Sequence, residues 1–422
     1  MSTLREDAFE IIEKAINGVM PEKSVEKALY ANKELIDEVK GEIVLIAIGK
    51  AAFAMASKVD QVLGDKITKG LVITKYGHLQ EGLNAYKKIE AGHPILDENS
   101  SKAGEVATRY VEGLNEDDLV IFLLSGGGSA VFEKPYKNVT IQDITIVTDQ
   151  LLASGASIDE INTVRKHMSD VKGGRFAGKC PKTPILAIAL SDVIGDRFDT
   201  IASGPVHPDM TRSEMAIQVL NKYNIFASEA VREAIQDETP KEIENVVDYL
   251  AGSVKDLCGQ AAVSAQALGY KPFIMTTSLD CQAKEAGAFI GSIARDIASG
   301  TGEHYPQKPC AIIFGGEPVV HVTGKGLGGR SQEVALSAAR SIKGVEGVSI
   351  FSVGSDGTDG PTDAAGGIVD GASYNIMAEE GIDPEKALQD NDSYRALLAS
   401  GDLIITGPTG TNVNDLMVIL VR

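Results

Sequence analysis

Two runs of six residues in which every side chain is apolar, Ile43–Ile48 and Leu119–Leu124, each end against glycine. Gly49-Lys50 follows the first and Ser125-Gly126-Gly127-Gly128 the second. A short apolar run without alternation reads as a strand buried on both faces, the kind found in parallel sheets covered by helices. An Ala-rich stretch, Ala51–Leu63, has helical character, Gly70–Thr74 reads as a second strand, and Asn99/Ser100 can cap a helix running to Leu114. Strand, glycine turn and helix in repetition predict a parallel sheet with crossover helices. The same runs fall far short of the ~18 apolar residues that a membrane span needs.

The pattern continues. Leu4–Val19 and Val25–Ile36 read as helices, as do Ile144–Ser154 and Ile158–Val171, and Ile185–Leu190 is a further buried strand. At roughly 100–200 residues per domain, 422 residues imply two domains or three. Thr211–Ala265 is charged and mostly helical in pattern, which places a boundary near Thr239-Pro240 and gives domains 1–240 and 241–422. Beyond it, strands at Lys271–Thr276, Ala311–Phe314, Val319–Val322, Val348–Val353, Leu403–Thr406 and Leu416–Val421 alternate with helices at Gln282–Ala298 and Ser331–Ile342. Strands as close as Ile312 and Val322 require antiparallel pairing, so this second sheet is expected to be mixed.

Charge excludes one class of partner. Asp and Glu outnumber Lys and Arg by 59 to 40, a net charge of −19 that repels phosphate backbones, so nucleic acid is not expected. Cys180, Cys258, Cys281 and Cys310 form no C-x-x-C pair and support neither a zinc site nor a disulfide framework. Met1–Glu10 shows no secretory pattern, and the expected location is the cytoplasm.

Four glycine-rich segments sit at predicted strand ends, where open α/β sheets bind ligands. In Ser125-Gly126-Gly127-Gly128-Ser129 the missing β-carbons let backbone amides converge on an oxyanion. Gly315-Gly316-Glu317 leads to Gly324-Lys325-Gly326-Leu327-Gly328-Gly329-Arg330, in which Gly324, Gly326 and Gly329 spell the dinucleotide fingerprint G-x-G-x-x-G. The preceding strand does not open a βαβ unit, however, and Arg330 at a helix start offers a fork of donors suited to phosphate or carboxylate. Asp356, Asp359 and Asp363, in a glycine-rich turn, could orient a divalent cation or act as a base, though not with EF-hand spacing. Thr406–Asp415 offers hydroxyls and amides for a polar ligand. Lys50, the cluster Asn162, Arg165, Lys166 and His167, and Asp192 just beyond the Ile185–Leu190 strand complete the candidates. No G-x-S-x-G occurs, and the mixture of cations, amides and acids is the one that phosphoryl transfer requires.

Taken in order, these segments resemble the class II glycerate 2-kinase family, built from a large N-terminal glycerate kinase domain and a C-terminal MOFRL domain. The matching stretches are Gly49-Lys50-Ala51-Ala52, Ala91-Gly92-His93-Pro94, Leu124–Ala130, Leu151–Ala156, Ile161–His167, Ser191-Asp192-Val193 with Gly195-Asp196, Ser203-Gly204-Pro205, Gly315-Gly316-Glu317, Gly328-Gly329-Arg330 with Gln332-Glu333, and Gly357–Gly360. The resemblance implies two α/β domains, the larger Rossmann-like, three-layered and mainly parallel, the smaller with a mixed sheet, and an active site in the cleft between them. It implies ATP- and Mg²⁺-dependent phosphorylation of D-glycerate to 2-phosphoglycerate, with Lys50, Asp192 and Arg330 matching the polar residues of that site.

Resemblance and residue chemistry together set the expectations. Ser125, Gly126, Gly127, Gly128 and Ser129, with Glu317, Gly328 and Gly329, are expected at the ATP phosphates. Lys50 and Arg330 neutralise the phosphoryl group or grip the carboxylate, and Asp192 accepts the hydroxyl proton. Asn162, Arg165 and Lys166 bind substrate, and Asp356 and Asp359 hold Mg²⁺. D-glycerate is the expected partner, without membrane or nucleic acid, and a homodimer is left open. The alternatives are an NAD(P)H-dependent hydroxypyruvate reductase, resting on Gly324–Gly329, and a non-catalytic metabolite sensor.

Overall fold

The computed structural model describes residues 3–300 and 304–422. The chain divides into two compact units, one formed by Pro21–Ala251 and the other by Met1–Met20 with Gly252–Arg422. No helix among the described residues is long and apolar enough to cross a membrane.

The Pro21–Ala251 unit is organised by its two apolar hexapeptides. Strands β1 (Ile43–Ile48), β2 (Ile67–Lys75), β3 (Lys87–Ala91), β4 (Leu119–Leu124), β5 (Ile185–Leu190) and β6 (Val246–Gly252) form one sheet in the order β3-β2-β1-β4-β5-β6. The pairs from β3 across to β5 are parallel. Every residue of β1, β4 and β5 is buried. Alternation divides them between two cores. Val44, Ile46 and Phe122 pack with Ala103, Val106 and Ala107 of the helix Glu98–Val111. Leu45, Ile121 and Leu123 pack with Met55, Ala56 and Val59 of the helix Ala52–Leu63 on the other face. The result is three layers, helix on sheet on helix. Because β2 and β3 lie to one side of β1 and β4 and β5 to the other, the chain reverses its direction of winding between β1 and β4, which opens a crevice beyond their carboxyl ends.

The other unit carries a mixed sheet. Strands β7 (Lys271–Leu279), β8 (Cys310–Gly316), β9 (Val348–Gly354), β10 (Gly366–Asp370), β11 (Leu403–Ile404) and β12 (Asp415–Val421) lie in the order β11-β10-β9-β12-β8-β7. Only β7 and β8 run parallel; β12 is antiparallel to both β8 and β9. One face packs on the helices Leu4–Gly18 and Val254–Ala267 through Ile11, Ile12, Leu257 and Ala261. The opposite face packs on Ala283–Ser299 and Arg330–Ser341 through Ile290, Ala294, Val334 and Leu336.

Three expectations need correction. The boundary expected at 240/241 falls at 251/252, because Val246–Gly252 is not helical but joins the first sheet beside β5. The N-terminal helix belongs with the C-terminal unit, since its apolar stripe is completed there by Leu257, Phe351 and Val418. Val319–Val322 forms no strand; Val319 makes one isolated bridge with Gln282, and the mixed sheet owes its antiparallel pairs instead to β10 and to the last strand, β12.

Candidate functional site

In the Pro21–Ala251 unit the ends of β1 and β4 are tied together. The Ser125 hydroxyl donates to the Ile48 carbonyl at 3.0 Å and accepts the Ala51 amide at 3.1 Å. The Lys50 amide donates to the Gly126 carbonyl at 2.9 Å. Ser125 is therefore a buried splice rather than a ligand group. Gly127 stands at φ +83°, in the left-handed region. A β-carbon there would sit 2.9 Å from His93 Nε2 and 3.3 Å from Lys50 Cγ. Glycine lets the His93 ring and the Lys50 stem approach the turn this closely at no steric cost. Among the described residues the amides of Gly126 and Gly127 meet no acceptor, whereas the Gly128 amide bonds back to Ser125. Lys50 thus stands over a turn with two unspent donors, an arrangement that suits an oxyanion.

Ser129, one turn further, enters a chain of polar contacts. Its hydroxyl lies 2.8 Å from that of Ser203, which donates to Asn162 Oδ1 at 3.3 Å, and its carbonyl accepts from Arg165 at 3.1 Å. The helix Ile158–His167, started by a Ser157–Glu160 capping box, places Asn162 and Arg165 three residues apart on one face. Burial pulls the Arg165 guanidinium below its ordinary pKa, only partly offset by Glu133, and its Nε has no hydrogen-bond partner among the described residues. Ser203 is reached through two consecutive non-glycine residues in the left-handed region, Ala202 at φ 51° and itself at φ 61°. Each costs about 1–2 kcal/mol, so the surrounding packing imposes this loop shape.

Lys166 is not part of this chain. It is buried and its ammonium faces Asp209 at 3.3 Å, whose carboxylate also accepts from Thr211 and Thr239. Asp192 stands half-buried just beyond β5.

The other unit builds a second charged group. Arg330 opens the helix Arg330–Ser341 and gives two parallel hydrogen bonds to Asp415, at 2.6 and 2.9 Å, and a third to Glu317 at 2.8 Å. Glu317 also accepts from Asn414 at 3.0 Å. Burial pushes the Asp415 carboxyl up to about 7 against the pull of Arg330, with Asp359 and Glu317 adding to the rise. Burial disfavours the Arg330 charge as well, but Asp415, Glu317 and Asp359 outweigh it and hold the guanidinium above its ordinary value. The fork expected to point into a ligand loop is mostly spent on carboxylates.

The acids expected to bind Mg²⁺ have other duties. Asp359 is buried and accepts the amides of Ser331 and Gln332 and the Gln332 side chain, at 3.2, 2.8 and 3.0 Å, so it caps the helix that Arg330 begins. Asp356 accepts the Thr358 amide at 3.0 Å in an Asx turn. No group of three His, Cys, Asp or Glu among the described residues is arranged to hold a metal.

The fingerprint-like loop is also occupied. Asn391 Oδ1 accepts the amides of Thr323 and Gly324 at 2.8 and 2.9 Å; Asp390 and Asp392 carboxylates accept those of Lys325 and Leu327 at 2.9 and 3.0 Å. The Gly326 amide goes to the Asp390 carbonyl at 2.8 Å. A pyrophosphate would find these donors taken and two carboxylates in their place, which removes the basis of the nicotinamide reading. Gly328 and Gly329 pack closely against Ser393 and Asp359.

Residue reasoning missed His93, Ser203 and Asp415. The first two lie in short motifs, Gly92-His93-Pro94 and Ser203-Gly204-Pro205, and the third closes the Thr406–Asp415 segment. For His93 and Asp415 an imidazole or acid at a strand end was the available signal; Ser203 lies in a turn away from any strand.

Residues 7–236 match a family described as a domain of unknown function (DUF4147), and residues 310–415 match the MOFRL family. A D-glycerate 2-kinase of Thermotoga maritima is 51% identical over 419 residues, spanning 99% of both chains. A glycerate 2-kinase of Pyrococcus horikoshii is 44% identical over 437 residues, 99% of this chain and 97% of its own. The crystal structure of a glycerate kinase from Thermotoga maritima matches with a TM-score of 0.94 at 50% identity, covering 99% of each chain.

Proposed function

Because the chain belongs to the glycerate 2-kinase family, with its DUF4147 and MOFRL regions, we propose that it transfers the terminal phosphoryl group of ATP to the 2-hydroxyl of D-glycerate. The observation that carries this reading is the glycine turn at the β1/β4 crevice, where Lys50 packs against Gly127 beside two unspent amides. Those amides and the Lys50 ammonium would hold phosphoryl oxygens, supplying the positive field that this reaction needs. Ser129, tied to Ser203, Asn162 and Arg165, would line the hydroxy-acid side. Asp192 would take the proton of the 2-hydroxyl as its oxygen attacks the γ-phosphorus. The bond from that phosphorus to the β,γ-bridging oxygen breaks, and ADP leaves. Arg330 keeps two of its five N–H groups unspent and is proposed as a phosphoryl-binding cation.

Magnesium would neutralise the nucleotide's phosphate charge. The acids singled out for it in the sequence do not form a cage, so no protein ligand is assigned; Mg²⁺ commonly rests on substrate phosphates and water with few protein ligands. Lys166, committed to Asp209, is left out of the substrate contacts.

Incubation with ATP, Mg²⁺ and D-glycerate, with the product coupled to enolase, tests the reading. Signal without added phosphoglycerate mutase is expected. Signal only with the mutase would place the phosphate on the 3-hydroxyl, and absence of ADP would overturn the kinase reading. Lys50→Ala should cost about 2.7–4 kcal/mol of transition-state stabilisation, the scale of one lost oxyanion donor.

A further inference from the structure

Four basic side chains gather at the carboxyl ends of three neighbouring strands: Lys50 after β1, Lys75 at the end of β2, His78 in the turn beyond it, and His93 just after β3. In a chain with a net charge of −19 such a concentration is unexpected on balance of composition alone. Glu90, beside this turn, is occupied: its carboxylate accepts the amides of Gly77 at 2.8 Å and Leu79 at 3.4 Å. His78 lies with Nδ1 3.4 Å from the Lys50 carbonyl. His93 is different. Neither of its ring nitrogens has a hydrogen-bond partner among the described residues, and the ring packs directly over Gly127, with Nε2 2.9 Å from where a β-carbon would stand.

We propose that His93 binds a phosphoryl oxygen of the nucleotide beside the Gly126-Gly127 turn, donating from Nε2 alongside Lys50. The proposal rests on the kinase reading and adds a residue to its phosphate site. A phosphate carrying two charges fits Lys50 and the imidazole donor beside it better than a carboxylate carrying one. The state of the ring follows from its neighbours. Burial, then Lys50, Lys75 and His78, draw the His93 pKa below its ordinary value, so the free ring is neutral at pH 7. Glu90 acts in the opposite sense on His78. A phosphate dianion brought beside the ring favours the imidazolium, so binding takes up a proton, and the contribution of His93 to affinity grows as the pH falls.

The test is calorimetric titration of the full-length protein with ATP and, separately, with D-glycerate, using wild type, His93→Gln and His93→Phe. For ATP at neutral pH we expect about threefold weakening in His93→Gln and about tenfold in His93→Phe. The ratio of wild-type to His93→Gln affinity should widen about threefold more between about pH 8 and about pH 6; taking the ratio cancels protonation of ATP itself. D-glycerate affinity should stay within about twofold. Equal ATP affinity in all three proteins at every pH overturns the proposal. Loss confined to D-glycerate overturns it too, by assigning the ring to the carboxylate. Thermal melts check folding, and His93→Gln, which keeps a donor near Nε2, carries the test if His93→Phe does not fold. ATP binding needs no acceptor, so a failure here is separable from a failure of wild type to release ADP with D-glycerate.

Discussion

Arg330 and Asp415, 85 residues apart in the chain, meet through two parallel hydrogen bonds of 2.6 and 2.9 Å. The carboxylate is buried at the first residue of β12, while the guanidinium is about one-third exposed at the start of the helix Arg330–Ser341. The pair therefore joins β12 to the helix that connects β8 and β9, and it also fixes the direction in which the remaining guanidinium N–H groups point. Removing one partner of a buried pair leaves the other charge uncompensated, at a cost of about 3–5 kcal/mol.

A double-mutant cycle measures that relationship. We expect Asp415→Asn to destabilise the fold by several kcal/mol, about 3 by this reasoning, and Arg330→Met to do likewise, because Asp415 is then buried without its fork. The double variant should lose much less than the sum, with a coupling energy of about 1–3 kcal/mol in urea denaturation. Additive losses would mean that the two side chains do not act as a unit.

Lys166 and Asp209 give a pH-dependent counterpart. Burial alone would raise the Asp209 carboxyl, but Lys166 and the bonds from Thr211 and Thr239 overcome it and hold the pKa below the ordinary value. A carboxylate depressed in the folded state binds fewer protons there than in the unfolded chain near pH 4. Its stabilising contribution is complete above the unfolded value and is lost as the pH falls through the folded one. Asp209→Asn should lower stability at pH 7 by about 3–5 kcal/mol and flatten the decline below about pH 4. Lys166→Met should lower the melting temperature while leaving KM for D-glycerate unchanged in the protein that remains folded. A raised KM with unaltered melting would return Lys166 to the substrate site.

Legibility in the sequence followed burial. The hexapeptides Ile43–Ile48 and Leu119–Leu124 are buried at every position, so composition alone identified them and the crevice at their ends. Val246–Gly252 was hidden because its burial is partial, with Val247 and Asp248 exposed, and no period of two emerges. Val319–Val322 misled for the opposite reason: Val319 and Val322 are 54% and 72% exposed, apolar residues without a core. Gly366–Asp370 begins on two glycines, which read as a turn. In the site, Lys50 and the glycine loop were visible as strand-end features, but what their neighbours do depends on distant segments. Asp415 on Arg330, Asp359 on the helix start, and Asp390 to Asp392 on the 323–327 amides are all contacts between stretches far apart in the chain, and no local pattern encodes them.

Thiol chemistry offers an inexpensive check on both cores. Cys180, Cys258 and Cys310 are buried and Cys281 is exposed. Burial pushes the Cys180 thiol up to about 11 and the Cys258 thiol up to about 12, and raises Cys310 despite nearby Lys308. Since the thiolate is the reactive form, a neutral-pH thiol reagent should label one cysteine rapidly and the other three only in denaturant. Mass mapping of the fast adduct to Cys180 or Cys258 would contradict the packing of the corresponding unit.

Gly127 and Gly155 separate backbone strain from site geometry. Both have left-handed φ, +83° and +76°. A β-carbon at Gly155 would meet nothing within 4 Å, whereas at Gly127 it would press on His93 Nε2 and Lys50 Cγ. Alanine at either position should cost about 1–2 kcal/mol of stability from the left-handed backbone, and more at Gly127, where the His93 ring must also shift. Activity should diverge. Gly155→Ala should keep kcat and KM near wild type. Gly127→Ala displaces the His93 ring and the Lys50 stem proposed to hold phosphoryl oxygens, so kcat/KM for ATP should fall about 100-fold, the scale of one lost transition-state contact. Should the two alanine variants share the same modest kinetic change, the glycine turn beside Lys50 is not where the nucleotide's phosphates bind.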